Sequence, residues 1–279
     1  MTTASRSSAG KFLPYVLLIV ILLWTLVPVG WMLISSFKSL TDVLSPTPLL
    51  MFKPTLVNYI SLVSGGNNVL TYFRSSMIAA GVSTIIATTL GCLAGYGLAR
   101  GNFRAKKHLA FWIISTRMAP IAAVILPLFI GFTFLHLINT VWGLVVAYLS
   151  FNLPFAIWIM NAFFEDLPAG IEEAARVDGA TNFQTFWRIA LPMTAPGIVT
   201  TAILCLVFSW NDYAFAVTFA GPGSQTLPVA ASQLITQTGV DWGQLTAIGT
   251  VVALPMVLVG LAVRRYLVRG LTLGAVTGE

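Results

Sequence analysis

Charged side chains are scarce in this sequence. Asp, Glu, Lys and Arg make up 9% of its 279 residues, against roughly a quarter in soluble domains, which excludes an ordinary water-soluble globule and points to a membrane protein. Histidine is scarcer still. His108 and His136 are the only two, and they fall at opposite ends of one apolar run, so no nucleophile, base or metal set of a membrane-embedded enzyme gathers around them. Cys92 and Cys205 lie inside apolar runs with no CxxC or Cys/His spacing and read as packing residues. No G-x-x-x-x-G-K-[ST] occurs, so the usual nucleotide-phosphate cradle is missing. The net charge of +6 comes from small basic groups between apolar runs. That pattern fits membrane topology and argues against a nucleic-acid partner.

Long apolar runs are what the chain has instead. A spanning helix needs about 20 predominantly apolar residues, and six runs meet that: Phe12 to Phe37, Ser75 to Ala99, Leu109 to Leu135, Val141 to Phe164, Thr194 to Ala220 and Leu245 to Val268. Lipid cannot satisfy unpaired backbone groups, so these are predicted as helices and the fold as an all-α polytopic membrane protein. The first run follows Arg6 and Lys11, exceeds a signal-peptide core in length and has no convincing Ala-x-Ala site after it, so a retained anchor is expected. With the N-terminus inside, the cytoplasmic segments collect Arg6, Lys11, Arg100, Arg104, Lys106, Lys107, Arg176, Arg188, Arg264, Arg265 and Arg269, leaving Lys38, Lys53 and Arg74 outside. Both termini are therefore predicted to be cytoplasmic.

Inside the runs the signals are sparser. Gly91 and Gly95, with Ala87 before them, make a smooth stripe for close helix contact, most simply within the chain. Pro120, Pro127, Pro154 and Pro255 should bend their helices. Arg117 lies about 12 Å along its helix at 1.5 Å per residue. It either faces a cavity or snorkels to the inner interface. Asp212, in "FSWNDY", is predicted near the outer face, too far from Arg117 to pair with it. Asn152, Asn161 and Asn211 could bind a polyhydroxylated ligand or join helices to one another.

The densest charge lies in residues 165–193. Glu165, Asp166, Glu172, Glu173 and Asp178 are five of the nine acids, in the predicted cytoplasmic loop between the fourth and fifth runs. The spacing predicts helix, turn, helix: Asp166 as a cap with Pro168 in the first turn, Glu172 and Arg176 as an i, i+4 pair, and Gly179 as the left-handed stop. Thr181 and Gln184 have capping-box spacing, and Pro192 should close the second helix. Ile171, Ala174 and Ala175 form a narrow small-residue face. Such a face suits docking to another protein better than lying on an anionic leaflet, where its acids would be repelled.

Within this loop Glu173, Ala174, Ala175, three residues, Gly179, nine residues, Ile189, one residue, Leu191 and Pro192 stand without a gap. The string resembles the "EAA" motif of the membrane permease subunits of bacterial binding-protein-dependent ABC importers. "EEAARVDGATNFQTFWRIALPMTAPGI", "NYI" at Asn58, "AGYGLAR", "TRMAPIAAVILPLFI", "FSWNDY" and "RGLTLGAVTG" are similar to the maltose-transporter, sugar-importing branch, so the resemblance covers nearly the whole chain as one permease domain, residues 1–279.

The resemblance implies a multi-pass protein of the bacterial inner membrane, surrounded by membrane lipid. It implies three kinds of partner: a second homologous permease subunit, a dimeric ATPase and an extracytoplasmic sugar-binding protein. ATP and magnesium would sit on the ATPase, with no cofactor on this chain. The loop would be the coupling helix, with Glu172, Glu173, Ala174, Ala175, Asp178, Gly179, Ile189, Leu191 and Pro192 as its coupling residues. The tail Gly274, Ala275, Val276, Thr277 and Gly278 would also reach the ATPase, although Thr277 stands where the branch usually has lysine. Arg117, Asn152 and Asn211 are candidates for the substrate path. A sugar phosphate or another polar solute is the alternative cargo. A stand-alone secondary transporter would need intramembrane carboxylates, of which the six runs hold only Asp212.

Overall fold

The computed structural model describes residues 8–65, 68–237 and 239–273. The tail positions Gly274, Ala275, Val276, Thr277 and Gly278 lie outside the described residues. Two compact units divide the chain, one reaching Asn68 and resuming over Gln233–Ala253, the other made of Val69–Ser232 and the chain from Leu254 onward.

The first unit contains α1 (Ser8–Ser35), a short α2 (Val57–Ser64), two paired two-residue strands, Ile235–Thr236 and Gly239–Val240, and the start of the last helix. Asn58 organises its loop. Its amide donates to the carbonyls of Ser36 and Lys38, both at 2.9 Å, while Tyr59 shares a 2.7 Å hydrogen bond with Ser36. The chain leaving α1 is thus tied to α2 by side chains.

The second unit contains α3 (Val69–Arg100), α4 (Lys106–Thr116), α5 (Ile121–Phe134), α6 (Val141–Glu165), α7 (Ala169–Val177) and α8 (Asn182–Met193). After them come α9 (Ala195–Trp210), α10 (Ala214–Phe219), α11 (Leu227–Gln233) and most of α12 (Trp242–Leu273). The centre of this unit is the pair α3 and α6. Ala80, Ser83, Ala87, Gly91 and Gly95 recur every three or four residues on the buried side of α3, which is the helical period. A Cβ at Gly91 would stand 2.7 Å from the Cβ of Ala156, and one at Gly95 would stand 2.8 Å from the backbone nitrogen of Asn161. The smooth stripe is therefore spent on packing within the chain, as expected.

The six predicted runs do not become six straight helices. Among the described residues four helices are long and apolar enough to cross a membrane, Pro14–Ser35, Val69–Arg100, Val141–Glu165 and Trp242–Val263. Two further pairs, α4 with α5 and α8 with α9, are bent by 88° and 73°, which brings the total to six if each pair is one span. The third run was expected to bend at its prolines. It does so at Pro120, as a full break over residues 117–120, because Pro120 adopts extended backbone (φ −62, ψ 135) and starts α5, while Pro127 is accommodated inside that helix. The fifth run also ends early, at Trp210. Asp212 Oδ1 accepts the amides of Phe215 (3.1 Å) and Ala216 (3.2 Å) in the first turn of α10, just before which Tyr213 holds the cap position.

Candidate functional site

The loop of residues 165–193 is a helix, turn and helix, held by contacts that its sequence only partly discloses. Gly179 has φ +94, a region that strains any residue with a Cβ, and it turns the chain out of α7. Thr181 and Gln184 form the expected capping box: the Thr181 amide donates to Gln184 Oε1 (2.9 Å) and the Gln184 amide to Thr181 Oγ1 (3.2 Å).

Three expectations are corrected here. Asp166 does not cap α7, because α6 keeps its ladder through that residue, whose amide donates to the Ala162 carbonyl, and Pro168 stands at the cap position without a side-chain bond. Pro192 does not close the second helix. The chain passes through a π-helical turn, Phe186–Ala190, continues to Met193 and breaks at Thr194, whose hydroxyl donates back to the Ala190 carbonyl at 2.9 Å.

The third correction concerns Glu172, which was expected on the helix surface paired with Arg176. Its carboxylate is turned inward. It accepts Arg100 Nε (2.8 Å) and the Tyr96 hydroxyl (2.9 Å), both from the end of α3, while Arg100 also donates to the Leu167 carbonyl (2.9 Å). Glu172 is 3% exposed, so it fastens α7 to α3 and is not itself available to a partner. Among the described residues Arg176 reaches only the Glu172 backbone carbonyl, at 3.3 Å. Tyr96 packs between Phe164 and Phe186, with ring centroids 5.2 and 4.8 Å away, so the polar clamp has an apolar backing. The Lys106 to Glu165 contact, at 3.6 Å and largely solvated, adds little.

With Glu172 facing inward, the opposite side of the loop faces out. Glu173, Ala174, Asp178, Gly179 and Pro192 are exposed, while Ala175, Ile189 and Leu191 are half-buried. Beside them stand Val177, 87% exposed, and the exposed rings of Phe183 and Trp187, which stack with centroids 6.3 Å apart. Sequence reasoning passed over these three. Their signal was present as large apolar residues inside the most charged stretch of the chain.

A second feature lies between the two helix breaks. Arg117, Ser150, Phe151, Phe208, Asn211 and Asp212 line a cavity of about 770 Å³. The Arg117 guanidinium sits over the faces of Phe155 and Phe208, 4.1 and 4.4 Å from their centroids, an arrangement that favours a cation in apolar surroundings. Arg117 and Asp212 form no ion pair among the described residues, although the breaks bring both to one cavity where separate depths were expected. Asn211 belongs to this wall. Asn152 does not: it is fully buried and donates to Ser209 Oγ (2.6 Å) and the Cys205 carbonyl (3.3 Å), and Ser209 in turn meets Ser83 (3.2 Å). Asn152 ties α3, α6 and α9 together, the helix-joining role of the two that its sequence position allows.

Membrane-length helices, a cavity beside the breaks and a braced polar loop with an outward face define the chain as a helical membrane protein. The chain belongs to the family described as binding-protein-dependent transport system inner membrane component, whose model matches residues 87–273. It is 34% identical over 262 residues to the trehalose transport system permease protein SugB of Mycobacterium tuberculosis, covering 91% of this chain and 93% of that one. It is 31% identical over 257 residues to the trehalose/maltose transport system permease protein MalG of Thermococcus litoralis, covering 91% and 92%. Its fold is similar to a chain of a bacterial ABC transporter involved in the import of the acidic polysaccharide alginate, with a TM-score of 0.80 at 22% identity over 95% of this chain and 99% of that one.

Proposed function

We propose that this chain is a permease subunit of an ATP-binding-cassette importer in the bacterial inner membrane, with a sugar as its cargo. It forms the translocation path with a second permease subunit, receives sugar from an extracytoplasmic binding protein and is driven by a separate dimeric ATPase that carries the ATP and magnesium. Both termini and the loop of residues 165–193 face the cytoplasm. The names of SugB and MalG support the sugar, since both serve sugar transport systems.

The observation that carries the coupling role is the clamp of Glu172. It fixes the helix to the end of α3 and leaves Glu173, Ala174, Val177 and Gly179 outward for the ATPase. Closure of the ATPase pair then moves α6 and α9 through that loop and shifts the path between inward and outward access. Such a shift needs each partner to favour one state over the other. The tail residues Gly274 to Gly278 are proposed as a second ATPase contact, and Arg117 and Asn211 as wall residues of the path.

Glu173→Lys reverses charge on the exposed face without touching the clamp. Uptake of labelled trehalose or maltose by cells carrying the variant is expected to fall at least about tenfold, the ratio that 1.4 kcal/mol of lost contact produces, while the amount of chain in the membrane is unchanged. Co-purification of the ATPase should fall in parallel. Wild-type uptake in this variant would refute the coupling assignment.

A further inference from the structure

Lys38 has a surrounding that transport by itself does not require. Its side chain is 1% exposed, in the segment just after α1. The ammonium lies 4.0 Å from the ring centroid of Trp31 and 5.3 Å from that of Phe52. Among the described residues no carboxylate stands within ion-pair distance of it. Aromatic faces stabilise a cation only in part, and a buried ammonium calls for an anion.

Lys38 lines a cavity of about 440 Å³, whose wall also includes Trp31, Ser35, Asp42, Thr47 and Trp242. Asp42 Oδ2 accepts the Ser39 hydroxyl at 2.7 Å, and no cation among the described residues pairs with this carboxylate. One chamber therefore contains an ammonium and a carboxylate that are not joined to each other. The chamber shares Pro28 with a second hollow, an apolar groove of about 540 Å³ lined by Val20, Leu23, Trp24 and Val27. This groove follows the exposed side of α1 for about 12 Å at 1.5 Å per residue. Trp31 and Trp242 stand in the wall of the chamber, as tryptophans do at a membrane interface.

A polar chamber of both signs that meets an apolar groove at Pro28 has the form of a phospholipid, headgroup first and chain after. We infer that this site binds an ethanolamine phospholipid, with the phosphate on the Lys38 ammonium, the primary amine on the Asp42 carboxylate and one acyl chain along Val20 to Pro28. An anionic lipid would leave Asp42 without a cation. A free phosphate would leave the groove unused. A carboxylate from another chain would answer Lys38 but not Asp42.

The test uses the full chain with the subunits that co-purify with it, placed in nanodiscs of equal parts phosphatidylethanolamine, phosphatidylglycerol and phosphatidylcholine. Lipid that stays bound is then counted by native mass spectrometry. Phosphatidylethanolamine is expected to be enriched about tenfold over its share, the ratio set by one charge-assisted hydrogen bond that the methylated amine of phosphatidylcholine cannot make. Lys38→Met should abolish the enrichment, Asp42→Asn should reduce it to the level of phosphatidylcholine, and Val27→Trp should lower retention by filling the groove. If Lys38→Met does not accumulate, Asp42→Asn and Val27→Trp decide the matter. Bound lipid that mirrors the bilayer overturns the inference, as does enrichment that survives Asp42→Asn. Release of a co-purifying subunit by Lys38→Met with lipid unchanged also overturns it, by assigning Lys38 to a protein contact. Enrichment unaffected by Val27→Trp, and competed away by soluble phosphoethanolamine, would make the ligand a small molecule and not a lipid.

Discussion

Glu172→Ala is expected to lower uptake about a hundredfold or more while the chain remains in the membrane. The carboxylate is almost fully desolvated, its side chain 4% exposed against 22% for Arg100. Removing one partner of a buried pair costs about 3 kcal/mol or more, because the charge left behind has no counter-ion. Here the remaining charge is Arg100, which still reaches the Leu167 carbonyl but no longer holds α7. The loss falls on the orientation of α7 and not on the α3–α6 core. Tyr96→Phe removes one hydrogen bond from the same carboxylate, worth about 1 kcal/mol, and should cost far less uptake. Because the two side chains share one carboxylate, the double variant should be no worse than Glu172→Ala alone. Sugar uptake measured beside the membrane level of the chain checks all three. Full uptake in Glu172→Ala would mean that the clamp does not position the loop.

Gly95→Val should remove the protein from the membrane altogether. The new Cβ would meet the Asn161 backbone nitrogen at 2.8 Å and the Met160 Cβ at 2.9 Å, neither of which is the free end of a flexible side chain. The only relief is to push α3 away from α6, and those helices form the centre of their unit. Overpacking of a tight core costs about 1–3 kcal/mol even where neighbours can yield, and here the obstacle is partly backbone. Gly97→Ala is the matched control. A Cβ at Gly97 meets nothing within 4 Å, and alanine gains about 1 kcal/mol over glycine inside a helix. Membrane levels, and melting temperature in detergent where enough protein survives, should therefore move in opposite directions. Equal accumulation of both variants would show that the close approach at Gly95 is dispensable.

Legibility differed by residue for identifiable reasons. Gly179 and the Thr181–Gln184 box were readable because their requirements are local: a positive φ in one case, two orphan amides in the other. The α3 stripe was readable because a helix period repeats it. Glu172 was misread because a residue four positions away is a plausible partner on any helix, and nothing in the order of residues says that Arg100 lies across the fold. Asn152 was left between two roles for a related reason. A buried amide looks the same in sequence whether its partners are a sugar or Ser209 and a backbone carbonyl. The bend at Pro120 was readable because proline removes a backbone donor, whereas the break after Trp210 was not, because Asn211 and Asp212 are two polar positions inside an otherwise apolar run.

Composition and local residue spacing determined that this chain is a helical membrane protein with a polar loop of two helices that turn at Gly179. Those properties arise from each residue's solvation and its neighbours within one turn. Only the tertiary structure decided which face of that loop points outward, where the fifth apolar run breaks, and that Arg117, Asn211 and Asp212 share a cavity while Asn152 does not. These depend on which side chains from distant segments satisfy one another in a medium that leaves no buried charge or amide without cost.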